Sequence, residues 1–245
     1  MKQYEAVIRT LELLGGVATL SELYDNVKKV KGCDWKTKTP NESIRRIVQT
    51  RPDEIYKIKP GLYGLLQYKA ANESKGIIAE TSKNKNSNVL KESNHTYYQG
   101  LLLQIGNYRG MKTFAPQQDK NKLFKQNKKI DDLRSLDKIY RFSYDEIVNR
   151  SSTIDVIWFN ERRMPDRFFE VEYSPEFQNS LIKYSDLQDF NVNMILVSDK
   201  VQKAKSNNKL NFSVFRKIKP KIQFWPFERV VLEYEYAYKL SKTVE

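Results

Sequence analysis

Apolar residues near the start of the chain recur at intervals of three and four, which is the spacing of one buried helix face. Three segments show this pattern: residues 3–14, a stretch that begins at Thr19 or Ser21, and residues 40–50. Two glycines follow the first segment, and Thr39 precedes Pro40 as a cap precedes a first-turn proline. The pattern therefore predicts three helices.

A short hairpin is predicted directly after these helices. Residues 55–59 and 62–66 are rich in residues that favour strands, and the turn formers Pro60 and Gly61 lie between them. Three helices followed by two strands is the element order of a winged helix-turn-helix, a fold that places a helix in the major groove of DNA. We therefore expect residues 1–68 to form a winged-helix DNA-binding domain.

The pattern changes again after this domain. Residues 69–94 are rich in Asn, Ser, Lys and Glu and show little periodicity, which predicts a linker with at most one short ordered piece at Gly76-Ile-Ile-Ala79. For residues 95–245 the predicted order is helix 96–105, strand 111–116, a charged and mostly solvated stretch 117–141, strands 154–160 and 167–173, a helix capped by Ser174 with Pro175 in its first turn, strand 193–198, helix 201–210, strand 221–225 and helix 227–240. This order predicts a mixed sheet flanked by helices, so the fold class is α/β (α+β).

The predicted hairpin at residues 154–173 carries acidic residues on strands that otherwise look buried. Glu170 and Glu172 alternate with apolar neighbours and therefore project from one side, and the hairpin sets Asp155 opposite one of them. Three carboxylates at one spot repel each other unless a cation neutralises them, and Mg²⁺ prefers oxygen ligands of this kind. The alternative, that these acids are the solvated face of a strand, stays open.

Composition narrows the chemistry. The formal net charge of +13 favours a polyanionic partner, and nucleic acid is preferred to a membrane because no membrane-type amphipathic helix or spanning apolar run is evident. Cys33 is the only cysteine and His95 the only histidine, which excludes cysteine-built zinc sites and triads with a histidine base. We expect His95 to be a surface or capping residue just before a helix. No signal-peptide pattern is seen, so a cytoplasmic protein is the default expectation.

The candidates for DNA contact lie in the first domain. They are Lys36 and Lys38 in the basic loop, Arg45, Arg46 and Gln49 on the exposed face of the third helix, and Lys57, Lys59 and Tyr63 on the wing. The motifs Trp35-Lys-Thr-Lys-Thr-Pro40, Ser43-Ile-Arg-Arg46 and Tyr56-Lys-Ile-Lys-Pro-Gly-Leu-Tyr-Gly-Leu65 resemble the HARE-HTH module of chromatin and bacterial DNA-associated proteins. Winged helices also serve in protein contacts, and that alternative stays open.

A second resemblance covers about residues 95–235. Its motifs are Gln99-Gly-Leu-Leu-Leu-Gln-Ile-Gly106, Phe114-Ala-Pro-Gln-Gln-Asp119, Thr153-Ile-Asp-Val-Ile-Trp158, Phe169-Glu-Val-Glu172 and Ser180-Leu-Ile-Lys-Tyr-Ser-Asp-Leu187. They resemble the PD-(D/E)XK restriction-endonuclease-like nucleases, and more narrowly a bacterial branch similar to restriction enzymes. The resemblance implies that Asp155 and Glu170 ligate Mg²⁺, for which Mn²⁺ can substitute.

The chain departs from this family at one position. Glu172 stands where the family usually has a lysine, and it could act as a general base or help to hold a metal ion. Alternatively, Lys183 on the following helix could supply the missing positive charge. By the same resemblance, Gln99 and Asp119 either lie beside the site or hold the fold.

The leading hypothesis is a Mg²⁺-dependent, sequence-specific endonuclease of the type II restriction kind that cuts double-stranded DNA to leave 5′-phosphate ends. Such an enzyme would act as a homodimer with a cognate DNA methyltransferase in the same system. The alternative is a catalytically inactive DNA-binding or transcription-associated protein with a degenerate nuclease domain. A nuclease for modified bases or RNA structure is a third reading that the sequence does not separate from the first.

Overall fold

The computed structural model describes residues 1–85, 87–125, 128–173 and 176–243. The chain is mixed α/β and divides into two compact units. The first unit holds residues Met1–Asn94 and a short piece that begins at Lys125, and the second unit begins at His95 and holds the rest. No helix among the described residues is both long enough and apolar enough to span a membrane.

The first unit packs helices against a small antiparallel sheet. Its elements are α1 (Gln3–Leu13), β1 (Val17–Thr19), α2 (Leu20–Asn26), α3 (Pro40–Thr50), β2 (Ile55–Lys59), β3 (Leu62–Leu65) and α4 (Lys69–Ser74), with the strands in the order β1-β3-β2. The three predicted helices and the hairpin are confirmed. β1 was not predicted, because three residues between a glycine and a helix cap are too few to show an alternation.

The described part of the stretch predicted as a linker contains helical structure. It contains α4, and α5 (Asn88–Tyr108) begins before its end. Ile77, Ala79 and Leu90 are buried, and the Asn72 side chain donates a hydrogen bond to the Tyr56 hydroxyl at 3.0 Å. The short piece expected at 76–79 is thus buried at Ile77 and Ala79, whereas the polar composition of the flanking residues gave no sign of the helices.

The second unit is built on a mixed five-stranded sheet. After α5 come β4 (Lys112–Phe114), β5 (Leu123–Lys125), β6 (Lys128–Lys129), α6 (Asp145–Ser151), β7 (Val156–Phe159), β8 (Pro165–Val171), α7 (Gln178–Asp186), β9 (Asn193–Ser198), α8 (Lys203–Leu210), β10 (Ile222–Pro226) and α9 (Phe227–Ser241). The sheet order is β10-β9-β8-β7-β4, with β8, β9 and β10 parallel and β7 antiparallel to β8. The predicted hairpin and the predicted strand at 193–198 are therefore confirmed.

Both faces of this sheet are buried. One face contributes Phe168 and Met194 to a core that includes Leu181 and Tyr184 of α7. The other face carries Trp158, whose indole N–H donates to the Leu102 carbonyl of α5 at 3.0 Å. The sheet is thus held between helices, and its carboxyl-terminal edge, where β8 and β9 end together, is the place where polar side chains can gather.

A glycine lets α5 lie close to the sheet. A Cβ added at Gly106 would lie 2.5 Å from Cγ2 of Thr113 and 2.7 Å from Nε1 of Trp158, closer than real Cβ contacts come. Any side chain at this position would therefore force the helix away from β4 and β7.

Two sequence predictions in this unit need correction, and a third falls on residues that the structure does not describe. The helix predicted at 96–105 is longer at both ends, because its polar first turns carry no apolar period. The stretch 117–141 contains β5 and β6, and α6 was missed because it has few apolar residues. The predicted cap at Ser174 and Pro175 lies outside the described residues, and the helix is observed from Gln178.

Candidate active site

Three acidic side chains meet at the carboxyl-terminal edge of β8. The register pairs Val156 with Phe169, which sets Asp155 beside Glu170, as the alternation predicted. The Asp155 backbone N–H donates to Oε1 of Glu170 at 3.3 Å, and Glu172 follows directly after the strand. Glu170 is only 3% exposed and the Asp155 side chain 15%, so the two acids of the hairpin are not the solvated face of a strand.

α7 brings a lysine and a serine to the acids. Lys183 Nζ lies 3.0 Å and 2.9 Å from the two carboxylate oxygens of Glu170 and also donates to the Thr153 carbonyl at 2.8 Å. One helical turn earlier, the Ser180 hydroxyl lies 3.1 Å from Oε2 of Glu170 and is hydrogen-bonded to Glu172. The helix therefore places a lysine against Glu170, which lies in the second strand of the hairpin, although position 172 itself holds no lysine.

α5 approaches the same acids from the other side. Gln99 donates from Nε2 to the Asp155 carbonyl and to Oδ2 of Asp119, both at 2.9 Å. Asp119 is buried and forms an ion pair with Lys122 at 2.8 Å. The structure therefore joins Gln99 and Asp119 to the cluster.

His95 is the residue that sequence reasoning missed. It was predicted as a surface or capping residue before a helix, which is wrong: it lies inside α5, with Nε2 3.1 Å from Oδ2 of Asp155. The signal that could have found it is its spacing, because His95 and Gln99 are four residues apart and lie on one helix face. The helix was started too late in the sequence, so that spacing was overlooked.

The charges shift the proton equilibria of the cluster. Burial and the neighbouring Asp155 carboxylate raise the pKa of Glu170 to about 8, against the opposing effect of Lys183. Burial also opposes ionisation of Asp155, but His95 and Lys183 outweigh it, so the pKa of Asp155 is lowered. Burial alone would lower the pKa of His95, but the Asp155 carboxylate outweighs that effect and the pKa is raised. The cluster therefore favours the protonated form of Glu170 and the ionised form of Asp155 beside His95.

The donor set suits a hard divalent cation in its chemistry but is not arranged as a finished metal site. In the part of the chain that the structure describes, no three His, Cys, Asp or Glu side chains are grouped closely enough to hold a metal ion. The reason is local: both carboxylate oxygens of Glu170 are turned toward Lys183. Carboxylate oxygens remain the ligands that Mg²⁺ prefers, so side-chain rearrangement would be part of binding.

The candidates for DNA contact separate by exposure. Lys36, Lys38, Arg46, Gln49 and Lys57 are exposed, and Arg45 is half-buried with its Nε donating to the Tyr24 hydroxyl at 3.1 Å.

Lys59 and Tyr63 do not fit the predicted role in DNA contact. They are 5% and 4% exposed, and the ammonium group of Lys59 is bonded inside the first unit to Ser93 and Asn94. A β-bulge between Lys57 and Lys59 turns Lys59 inward, which the regular alternation did not anticipate.

Comparison with known proteins gives the class to which the second unit belongs. A family model of type II restriction enzymes matches residues 77–244, a range that contains every residue of the cluster. The family is the type II restriction enzyme NmeDI C-terminal domain, and because the match covers well over half of the chain, this chain belongs to that family. No curated protein and no solved structure matches the chain.

Proposed function

We propose that this chain is a Mg²⁺-dependent endonuclease of the type II restriction kind, which hydrolyses phosphodiester bonds at a specific double-stranded DNA sequence and leaves 5′-phosphate ends. The observation that carries the proposal is the meeting of Asp155, Glu170 and Lys183 within hydrogen-bonding reach, in a chain of a restriction-enzyme family. Its second unit would be a PD-(D/E)XK nuclease domain.

Asp155 and Glu170 would hold the cation, because they are the two acids set side by side on the hairpin. When bound, Mg²⁺ supplies polarisation of the scissile phosphate and a lower pKa for the attacking water. Mn²⁺ has similar ligand preferences and would substitute for it. The two carboxylates contribute by presenting oxygens at a fixed edge of the sheet, where β7 and β8 hold their backbones.

Lys183 would take the part of the lysine that position 172 lacks. Its ammonium group already lies at the carboxylate cluster, although it comes from α7 and not from the strand. A positive charge at this place stabilises the negative charge that develops on the phosphate during hydrolysis.

Glu172 would act as a general base toward the attacking water. Burial raises the pKa of its carboxyl group, and a base accepts a proton better when its pKa approaches the working pH. Ser180 holds this carboxylate by a hydrogen bond and so keeps it beside Glu170.

The first unit would select the DNA sequence. We assign a HARE-HTH-like winged helix to residues 1–68, with Arg46 and Gln49 of α3 directed at base edges. Lys36, Lys38 and Lys57 are exposed and would contact phosphates, while Arg45 contributes from a half-buried position. Two strands must be cut, so the enzyme would act as a homodimer, and a DNA methyltransferase would protect the host sites.

A second candidate function is an inactive nuclease-like domain in a DNA-binding protein. The observation that favours it is Glu172 at the position where the nuclease family usually has lysine. The three acids and the lysine that the fold nevertheless brings together favour the endonuclease, because an inactive site gains nothing from a buried acid cluster that costs stability.

The test is digestion of plasmid and phage DNA with Mg²⁺ and with a chelator. We expect discrete fragments that require the ion, and we expect Asp155→Asn and Glu170→Gln to abolish them. Glu161→Gln is the matched control, since Glu161 is exposed in the turn of the same hairpin. Specific DNA binding without cleavage in either Mg²⁺ or Mn²⁺ would reject the endonuclease in favour of the inactive protein.

A further inference from the structure

The single histidine of the chain lies in the carboxylate cluster although the proposed chemistry does not require it. The His95 side chain is 22% exposed, and its Nε2 meets Oδ2 of Asp155 at 3.1 Å. An ionised carboxylate only accepts hydrogen bonds, so Nε2 carries the hydrogen in this contact. Nδ1 is buried and has no hydrogen-bond partner within the described ranges. The hydrogen bond from Nε2 to Asp155 is therefore the one polar contact of the His95 ring among the described residues.

Asp155 is held by donors from two directions. The Val171 backbone N–H donates to Oδ2 at 2.7 Å, and His95 meets the same oxygen. Gln99, one turn further along α5, fixes the Asp155 carbonyl at 2.9 Å. The hydrogen bonds from Val171 and His95 to the Asp155 side chain both end on Oδ2. Neither of them uses the other carboxylate oxygen, Oδ1.

We propose that His95 is a positioning residue, which fixes Asp155 through Oδ2 and leaves Oδ1 to a divalent cation. This inference rests on the proposed endonuclease, in which Asp155 is a ligand of the ion. A carboxylate that is free to rotate loses orientational freedom when it binds an ion, whereas one that is already oriented does not. Donors behind a ligand typically contribute about 10- to 100-fold to metal affinity for this reason.

His95 is a convenient reporter of its own contact. Because the chain has one histidine, its ring resonances in an NMR spectrum need no assignment by mutagenesis. We expect Asp155→Asn to shift the Nε2–H resonance strongly, while the control Glu161→Gln leaves it in place. An Nε2–H resonance with the same chemical shift in Asp155→Asn and the wild type would overturn the proposed contact.

Two substitutions at the same position separate positioning from folding. His95→Gln keeps an amide N–H that can reach Asp155, whereas His95→Leu fills similar space without a donor. We expect the affinity for Mn²⁺, measured by titration with paramagnetic detection, to fall about 10- to 100-fold in His95→Leu and only a few-fold in His95→Gln. The two variants should unfold at similar temperatures.

Two outcomes would overturn the role of His95. One is unchanged Mn²⁺ affinity in His95→Leu, and the other is an equal loss in both variants accompanied by equal destabilisation, as a purely structural residue would give. The proposed endonuclease activity can be rejected independently of the role of His95. If the wild type binds Mn²⁺ with the expected dependence on His95 but never cuts DNA, the positioning role is supported and the endonuclease is rejected.

Discussion

Lys59 in the first unit and Lys183 in the second are both withdrawn from solvent, but they have different neighbours. The Lys59 ammonium group is hydrogen-bonded to uncharged oxygens of Ile78, Ser93 and Asn94, and burial lowers its pKa to about 7 against the opposing charge of Glu80. The ammonium group of Lys183 lies against the carboxylate of Glu170.

The difference teaches how to separate a structural lysine from a chemical one. At Lys59 the surroundings disfavour the charge, so the side chain serves as a hydrogen-bond donor that ties β2 to the start of α5. At Lys183 the ammonium group is hydrogen-bonded to the buried carboxyl group of Glu170 at the edge of the sheet, where the proposed function puts the phosphate. Exposure alone does not make this distinction, because both side chains are largely covered.

The largest effect is expected at Lys183. Lys183→Met removes the positive charge from the cluster and should lower the rate of DNA cleavage about 100- to 1,000-fold, the usual loss when one electrostatic stabiliser is removed. Single-turnover cleavage of plasmid DNA measures it, and Lys203→Met on the exposed surface of α8 is the matched control. Equal rates for Lys183→Met and the control would mean that Lys183 is as structural as Lys59.

Lys59→Met should act on stability and not on cleavage. Loss of the ammonium group leaves the buried Asn94 oxygen without this donor, which should lower the free energy of unfolding by about 1–3 kcal/mol. Denaturant unfolding measures the change, and the cleavage rate of the remaining folded protein should equal that of the wild type. A weaker salt dependence of DNA binding in this variant would instead return Lys59 to the DNA interface.

The pH dependence of stability should have opposite signs in the two regions. Glu170 has a pKa raised from 4.5 to about 8, so its folded form holds a proton that the unfolded chain has released. Its contribution is fully present below pH 4.5 and is lost as the pH rises toward 8. In chelator, Glu170→Gln should therefore flatten the fall of the unfolding midpoint between pH 5 and 8.

Lys59 gives the reverse slope. Its pKa is lowered from 10.5 to about 7, so between these values the unfolded chain binds more protons than the folded one. Stability should therefore rise with pH over that range, and Lys59→Met should remove the rise. An unfolding midpoint whose pH profile is the same in Lys59→Met and the wild type would show that this ammonium group is not desolvated.

The smallest effect is expected at Lys57, two residues before Lys59. Lys57 is exposed on the same strand as Lys59, so Lys57→Met should leave stability nearly unchanged. It should reduce the slope of log affinity for DNA against log salt by about one, the contribution of a single phosphate contact. Fluorescence anisotropy at several salt concentrations measures this slope. An unaltered slope would remove the wing from the DNA interface.

These lysines also show what the sequence could and could not predict. Alternation along the hairpin was sufficient to place Asp155 beside Glu170, because strand periodicity fixes which side chains share a face. It failed at Lys59, because a bulge after Lys57 breaks the period and nothing in the local pattern marks it.

The contributions of the helices were harder to predict than those of the strands. The proximity of Lys183 to Glu170 depends on how α7 packs on the sheet, which the sequence allowed but did not specify. His95 was missed because its helix begins in polar residues without an apolar period. Such contacts are decided by tertiary packing, which the local pattern of a single sequence does not specify.

The Ser180 hydroxyl has a further consequence for ion uptake. It has one hydrogen to donate but lies between the carboxyl groups of Glu170 and Glu172, so the second contact needs a hydrogen from one of the acids. The pair therefore stores a proton. In the proposed endonuclease, an ion that draws on both carboxylates would have to expel this proton, so ion uptake would release acid and the apparent metal affinity would rise with pH.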